Sequence, residues 1–354
     1  MTQFSVAVLP GDGIGQEVVP AAIRILEASA AAHGFDLQFQ NFDWGSNYYF
    51  QHGRMMPANA LEQLRPKHAI LLGAIGDPRI PDHITLNGLL LPIRREFDQY
   101  ANVRPARLYP NVQSPLRDPG EIDMVIVREN TEGEYAQVGG FLYREQPSEV
   151  AIQTSVFTRR GCERIVRFAF DLARKRNRRK KLASITKSNA QGYSMVLWDR
   201  VFREVAAEYQ DIQTESLLVD AAAMAFVKRP QSFDVVVGSN LFADILSDLS
   251  AMVTGSIGLA ASANLNSEGS GPTMFEPVHG SAPDIAGKGI ANPLATILSA
   301  AMMLEHFKLT AAAREIERAV ETVLEKGKIR TPDLGGNRST RDVTEAVLEE
   351  MRGG

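Results

Sequence analysis

Short apolar runs alternate with amphipathic stretches along the first third of the chain, and this alternation limits the fold more than any other feature. Phe4 to Leu9 is apolar, Gly15 to about Ala32 carries a helical pattern, and Asp36 to Phe42 and Ala69 to Leu72 are again short and apolar. Strand followed by helix in turn is the signature of an α/β layer fold. The middle repeats it: Asp123 to Arg128, Leu182 to Lys187, Thr214 to Val219 and Asp234 to Gly238 read as strands. Helices are expected around Arg159 to Lys175, Ala190 to Glu208 and Leu241 to Met252. From Asn292 onward the chain reads mainly as helix, with apolar residues three and four apart in Ala311 to Glu325 and Thr340 to Met351. Ser262 to Gly271, polar and glycine-bearing, and the low-periodicity stretch from Met274 to Pro293 are expected to be loops.

The length of 354 residues leads us to expect two domains, at roughly 150 residues each. A net charge of −4 offers no general attraction to polyanions, so a small ligand is expected rather than nucleic acid. The one basic run, seven cations in the eight residues from Arg174 to Lys181, suits a helix C-terminus better than a nucleic-acid patch. Cys162 is the only cysteine, which excludes an intrachain disulfide and a thiolate-rich zinc site. No run of about 18 uncharged apolar residues exists to span a membrane. The opening residues lack the basic flank and apolar run of a signal peptide, so a cytoplasmic location is expected.

Gly11-Asp12-Gly13-Ile14-Gly15 follows a strand and opens a helix, as a dinucleotide fingerprint would, but Gln16 stands where the third glycine is required. The segment therefore reads as a tight turn of close backbone approach. Asp244 and Asp248 are four apart and project from one helix face among apolar neighbours. Buried carboxylates need a compensating cation, and a hard divalent ion, Mg²⁺ or Mn²⁺, suits oxygen ligands; Asp220 can add a third. The alternative is a solvated helix face. Arg94, Arg104 and Arg128 are candidates for holding a carboxylate ligand by forked hydrogen bonds, whereas surface salt bridging accounts for Arg95. Lys187, among cations and metal, can act as a base and Tyr135 can pass a proton, although either alone is more often structural. His279, Asp284 and Asn292, set among small residues, can wrap an adenosine, with Asp284 on the ribose hydroxyls; a plain surface loop is the alternative.

Taken together, Leu-Pro-Gly-Asp-Gly-Ile-Gly, Arg-Glu-Asn-Thr-Glu-Gly-Glu-Tyr, Thr-Lys-Ser-Asn, Asn-Leu-Phe-Ala-Asp-Ile-Leu-Ser-Asp and Glu-Pro-Val-His-Gly-Ser-Ala-Pro-Asp-Ile-Ala-Gly resemble the β-decarboxylating 2-hydroxy-acid dehydrogenases. These act on isocitrate, 3-isopropylmalate, and D-malate or tartrate. Asp43-Trp-Gly, His52-Gly-Arg-Met-Met-Pro, Asp82-His-Ile and Arg94-Arg-Glu-Phe-Asp-Gln-Tyr are most similar to the tartrate and D-malate branch. Asn87 departs from it, standing where that branch tends to carry tryptophan in Ser-Leu-Trp-Gly. Leu89, Leu90 and Leu91 would tolerate an apolar substituent, which keeps 3-isopropylmalate as the alternative substrate.

The resemblance implies an α/β, isocitrate/isopropylmalate dehydrogenase-like two-domain fold distinct from a Rossmann domain. Residues 1–102 with 256–354 would form a large domain carrying most of the NAD site, and 103–255 a small one carrying metal ligands and dimer interface. It implies a homodimer in which Lys187 and Asp220 complete the partner's site, facing Arg94, Arg104, Arg128, Tyr135, Asp244 and Asp248. Lys187 and Tyr135 would be catalytic, the three arginines would bind substrate, and Asp220, Asp244 and Asp248 would bind Mn²⁺ or Mg²⁺. Asn189, Glu276, His279, Gly280, Ser281, Ala282, Asp284, Ile285 and Asn292 would contact the cofactor. The charge of Asp284 would repel a 2′-phosphate, so NAD is expected over NADP, whose users tend to carry lysine and tyrosine at positions 284 and 285. A metal-dependent phosphohydrolase could use the same aspartates and arginines, but would have no need of the adenosine-type loop. A descendant that only binds its ligand would not need Tyr135, Lys187 and Asp244 intact.

Overall fold

The structure is a computed structural model that describes residues 2–267, 269 and 271–353. The chain divides into two compact units. The first comprises Met1–Gln99, Arg104–Arg117 and Ala251–Gly354, the second Tyr100–Val103 and Asp118–Ser250. Residues 104–117, assigned above to the middle domain, thus belong with the two chain ends.

In the first unit five strands run in the order Asp36–Asn41, Gln3–Gly11, Ala69–Ala74, Thr273–Pro277 and Ala261–Leu265. All neighbours are parallel except the last pair. Successive strand residues point to opposite faces, and both faces are covered. Val6, Val8, Leu71 and Phe275 pack with helices Gly15–His33, Leu294–His306, Thr310–Lys326 and Thr340–Gly353. Ala7, Leu9, Ile70, Leu72 and Met274 pack on the other side with Phe42, Trp44, Met55, Leu89, Ile93 and Phe97. This double coverage is why Val6–Leu9 reads as an unbroken apolar run rather than an alternating one.

The expected loop at Ser262–Gly271 is a correction. Ala261–Leu265 is a strand, antiparallel to Thr273–Pro277 with Ala263 opposite Phe275, so the expected loop from Met274 also begins as strand. Positions 268 and 270 of that stretch lie outside the described residues. Of the polar residues that suggest a loop, Ser262 and Asn264 are buried and hydrogen-bonded. Asn264 Nδ2 donates to Glu276 Oε1 at 2.8 Å, and the Ser262 N–H donates to Ser299 Oγ at 3.3 Å.

The second unit is built on parallel strands in the order Asp123–Glu129, Val235–Gly238, Lys181–Thr186 and Gln213–Leu218, with a separate antiparallel hairpin of Gly133–Leu142 and Val150–Val156. Helix Arg159–Arg176 ends at Asn177 in the left-handed conformation (φ 48°). The basic run that follows is matched by acids: Arg176 meets Asp123 at 2.7 Å and Asp234 at 3.0 Å, and Arg178 meets Glu121 at 2.6 Å. No described helix is long and apolar enough to cross a membrane.

Candidate active site

In the second unit, strand Asp123–Glu129 delivers Arg128 buried at its C-terminal end, where α/β sheets commonly meet ligands. Its Nε and Nη2 donate to Asn240 Oδ1 at 2.9 and 2.7 Å, and Nη1 pairs with the Asp244 carboxylate. The Arg128 guanidinium lies 5.4 Å from the centre of the Tyr135 ring, and the Tyr135 hydroxyl donates to Asp244 Oδ2 at 3.1 Å. Burial, with the Asp244 charge beside it, pushes the phenol above its ordinary range, so Tyr135 keeps its proton at neutral pH. Asp248 lies exposed one turn along from Asp244 on helix Asn240–Val253.

Three glutamates that residue spacing does not single out hold this arrangement. Glu129 is buried and accepts from the N–H groups of Thr131 and Glu132 and from the Thr131 hydroxyl, and burial raises its carboxyl to about 7. Glu132 accepts from the Thr158 N–H and hydroxyl, both at 2.9 Å, where helix Arg159–Arg176 begins. Any side chain at Gly161 would collide with that carboxylate. Glu134 accepts from Ser239 Oγ at 2.8 Å and the Leu241 N–H at 3.1 Å, capping the helix that carries Asp244. The only trace of these roles in the sequence is the acid-rich run Glu129 to Glu134 after an apolar strand.

Lys187 and Asp220 meet each other, with Lys187 Nζ donating to Asp220 Oδ1 at 2.7 Å. That hydrogen bond holds the Asp220 carboxyl below the usual carboxylate range. Asn189 is exposed in the turn that follows Lys187. Among the described residues of one chain, no three His, Cys, Asp or Glu side chains gather to hold a metal ion. Asp244 and Asp248, one turn apart on one helix, offer the hard oxygen donors that a divalent cation takes.

In the first unit, Arg94 lies buried on helix Leu91–Glu96 and donates from Nη2 to Glu276 Oε1 at 2.7 Å; its Nε is buried without a partner. Arg104 is buried in strand Ala101–Arg107, and Arg95 is half-buried. The turn at Gly11 to Gly15 is a backbone joint. The Ile14 N–H donates to Ser281 O at 2.9 Å, and a Cβ at Gly13 (φ 53°) would collide with that carbonyl. Asp12 pins the turn by accepting from the Ser46 N–H and hydroxyl and from the Gly76 N–H, at 2.7 to 2.8 Å.

The segment so anchored begins at His279, whose ring is buried and thereby pushed below its ordinary range. Nδ1 lies 3.0 Å from Gly280 O, and Nε2 has no partner. Gly280 and Asp284 are exposed, Ser281 is buried, and Ala282 adopts φ 41°. Ile285 packs with Ile14, Val18 and Ala291. The Asn292 amide is engaged at both ends, Nδ2 on Asp333 at 3.0 Å and Oδ1 accepting from the Leu294 N–H at 3.0 Å. A buried imidazole with an unpartnered nitrogen, and an exposed carboxylate at Asp284 on the same segment, are donors and acceptors of the kind an adenosine takes.

Residues 5–347 match the isocitrate/isopropylmalate dehydrogenase family. The chain belongs to that family. It is 51% identical to a probable tartrate dehydrogenase/decarboxylase of Agrobacterium vitis, over all of this chain and 97% of the relative. It is also 51% identical to the decarboxylating D-malate dehydrogenase of Escherichia coli, over 99% of each. The crystal structure of isocitrate dehydrogenase from Methylococcus capsulatus has a TM-score of 0.89 to this chain at 39% identity, covering 99% of this chain and all of that one. The fold is therefore of isocitrate dehydrogenase type, and the reaction class is that of a decarboxylating hydroxy-acid dehydrogenase.

Proposed function

We propose that this dehydrogenase oxidises D-malate or tartrate with NAD and Mn²⁺ or Mg²⁺, and decarboxylates the β-keto acid where the substrate permits. The observation that carries the reading is the cluster of Arg128, Tyr135 and Asp244, with Asp248 one turn on. A buried guanidinium, a proton-bearing phenol and two carboxylates suit a substrate that is itself a carboxylate with a hydroxyl beside it.

Arg94, Arg104 and Arg128 hold the substrate carboxylates, and Asp244, Asp248 and Asp220 hold the cation. When bound, NAD supplies a hydride acceptor and the cation a positive charge near developing negative charge on the substrate. Lys187 Nζ takes the proton of the C2 hydroxyl, and Tyr135 delivers its proton to the carbon that loses CO₂. His279, Gly280, Ser281, Ala282, Ile285 and Asn292, with Glu276 and Asn189, hold the dinucleotide. The carboxylate of Asp284 faces the ribose hydroxyls and disfavours a 2′-phosphate.

The working form is a cytoplasmic homodimer in which Lys187 and Asp220 of one copy complete the site of the other. Two features support this: among the described residues of one chain no third carboxylate gathers with Asp244 and Asp248, and apolar side chains are left exposed on the second unit's helices. Met224 and Ile245 are 66% and 57% exposed.

Incubation of the purified protein with D-malate, tartrate or 3-isopropylmalate, Mn²⁺ and NAD tests the reading. NADH formation is expected with D-malate or tartrate and much less with NADP. A preference for 3-isopropylmalate would reassign the substrate, and phosphate release from a phosphoester without NADH would overturn the class.

A further inference from the structure

Helix Gly15–His33 presents its first turn to the segment that carries Asp284. Ile14, Glu17 and Val18 are three and four apart and so share one face of that turn. Each meets the segment differently. The Ile14 N–H donates to Ser281 O at 2.9 Å, and the Ile14 and Val18 side chains form the apolar cluster on which Ala282, Ile285 and Ala286 pack. Glu17 Oε1 accepts from the Gly287 N–H at 2.6 Å. The two polar anchors close both ends of the span from Ser281 to Gly287, with Asp284 at its midpoint. Inside it the N–H groups of Ile285 and Ala286 both donate to Ala282 O at 3.1 Å, winding a compact turn.

A glutamate in the first turn of a helix is ordinarily accounted for by the helix dipole, which asks for no partner. Glu17 does more. Its Oε2 is buried without a partner, so the carboxylate lies against protein rather than free in solvent. Gly287 offers its N–H from the left-handed region (φ 76°), which glycine enters without strain. Asp284 is exposed and its side chain has no partner among the described residues, so the backbone of the turn sets where its carboxylate stands. The anchor at Ser281 joins main chain to main chain. Among the described residues, Glu17 supplies the one side-chain hydrogen bond to the backbone between Ser281 and Gly287.

Resting on the reading of Asp284 as the residue that meets the adenosine ribose, we propose that Glu17 is a positioning residue for the coenzyme. Its hydrogen bond to the Gly287 N–H fixes the turn that carries Asp284. It thereby sets both the affinity for the dinucleotide and the rejection of a 2′-phosphate. A carboxylate held by a closed turn meets the ribose without first paying the entropy of ordering that turn. Glu17 acts through Asp284, so the rate at saturating coenzyme and the affinity for the hydroxy acid do not depend on it.

The test is direct binding of NADH and NADPH to the purified protein, followed by nicotinamide fluorescence. Wild type, Glu17→Ala, Glu17→Asp and Glu17→Gln are compared, the first two also with Asp284→Ala. Glu17→Ala removes the acceptor, and Glu17→Asp keeps the charge but falls one methylene short of Gly287. Either is expected to weaken NADH about three- to tenfold and to narrow the preference for NADH over NADPH by a similar factor. Glu17→Gln retains an acceptor oxygen and stays within about twofold of the wild type. With Asp284→Ala present, the effect of Glu17→Ala disappears, because nothing is left to position. In steady state the Glu17 variants raise the KM for NAD and leave kcat and the KM for the hydroxy acid unchanged. Glu17→Asp carries the test if Glu17→Ala does not fold. Unchanged NADH affinity in these two variants, with or without a lower Tm, makes the bond merely structural and overturns the proposal. So does Glu17→Gln as weak as Glu17→Ala, or an undiminished effect beside Asp284→Ala. A wild type that binds neither nucleotide would instead overturn the proposed function, and this assignment with it.

Discussion

Arg94 pairs with Glu276 in the first unit and Lys187 with Asp220 in the second, both at an N···O distance of 2.7 Å. Their surroundings differ. The Arg94 and Glu276 side chains are 5% and 9% exposed, and Asn264 adds a further hydrogen bond to Glu276. Lys187 and Asp220 are 27% and 59% exposed and share one contact. Removing one partner of a buried pair strands a charge at a cost of about 3–5 kcal/mol, whereas an exposed pair contributes roughly 0.2–1 kcal/mol. The same geometry is therefore a structural commitment in the first unit and an exchangeable contact in the second. The proton transfer proposed for Lys187 and the cation binding proposed for Asp220 both call for the exchangeable kind.

The largest effect should come from Lys187→Ala. Turnover is expected to fall about 10²- to 10⁴-fold, while the free energy of unfolding changes by less than about 1 kcal/mol. If sites are shared between copies, mixing this variant with Tyr135→Phe under subunit exchange restores activity, because one site of each hybrid is then intact. Full turnover of the single variant would contradict the catalytic role, and no rescue would contradict shared sites. Next, Arg94→Leu should cost about 3–5 kcal/mol in denaturant unfolding, with part recovered when Glu276→Leu is added. A cost as small as that of an exposed pair would erase the contrast.

Glu129 is a third case, a buried carboxyl held by neutral donors. The native group keeps its proton up to about 7, the unfolded one only to its ordinary 4.5. Between these values the native state holds more protons, so its contribution is fully present below the unfolded value and is lost as pH rises toward 7. The change is on the order of 3 kcal/mol. Glu129→Gln should flatten this slope, seen as a gain in unfolding free energy over the wild type at pH 8 that is absent at pH 4.5. A parallel offset at both pH values would show that Glu129 does not titrate as its burial implies.

The alternation of strand and helix was legible because the sheet cores are apolar on both faces, and the four-residue spacing of Asp244 and Asp248 did place them on one helix. Strand Ala261–Leu265 was not legible. Its Ser262 and Asn264 are satisfied by Ser299 and Glu276, residues distant in sequence, so local polarity suggested a loop. The capping roles of Glu132 and Glu134 depend on Thr158 and Ser239 and were hidden for the same reason. Arg128 was singled out from its place at a strand end, but its pairing with Asn240 and Asp244 belongs to tertiary structure.

The joint between Gly13 and Ser281 is made of main-chain atoms alone. Its attachment is indifferent to which side chains the following residues carry. Evolution, or a designer, can therefore rewrite the exposed position 284 without dismantling the scaffold beneath it, whereas a change at Ile285 must still satisfy its packing against Ile14 and Val18. On the proposed role of Asp284, retuning the coenzyme preference is a matter of exchanging surface letters while the grammar holding them stays in place.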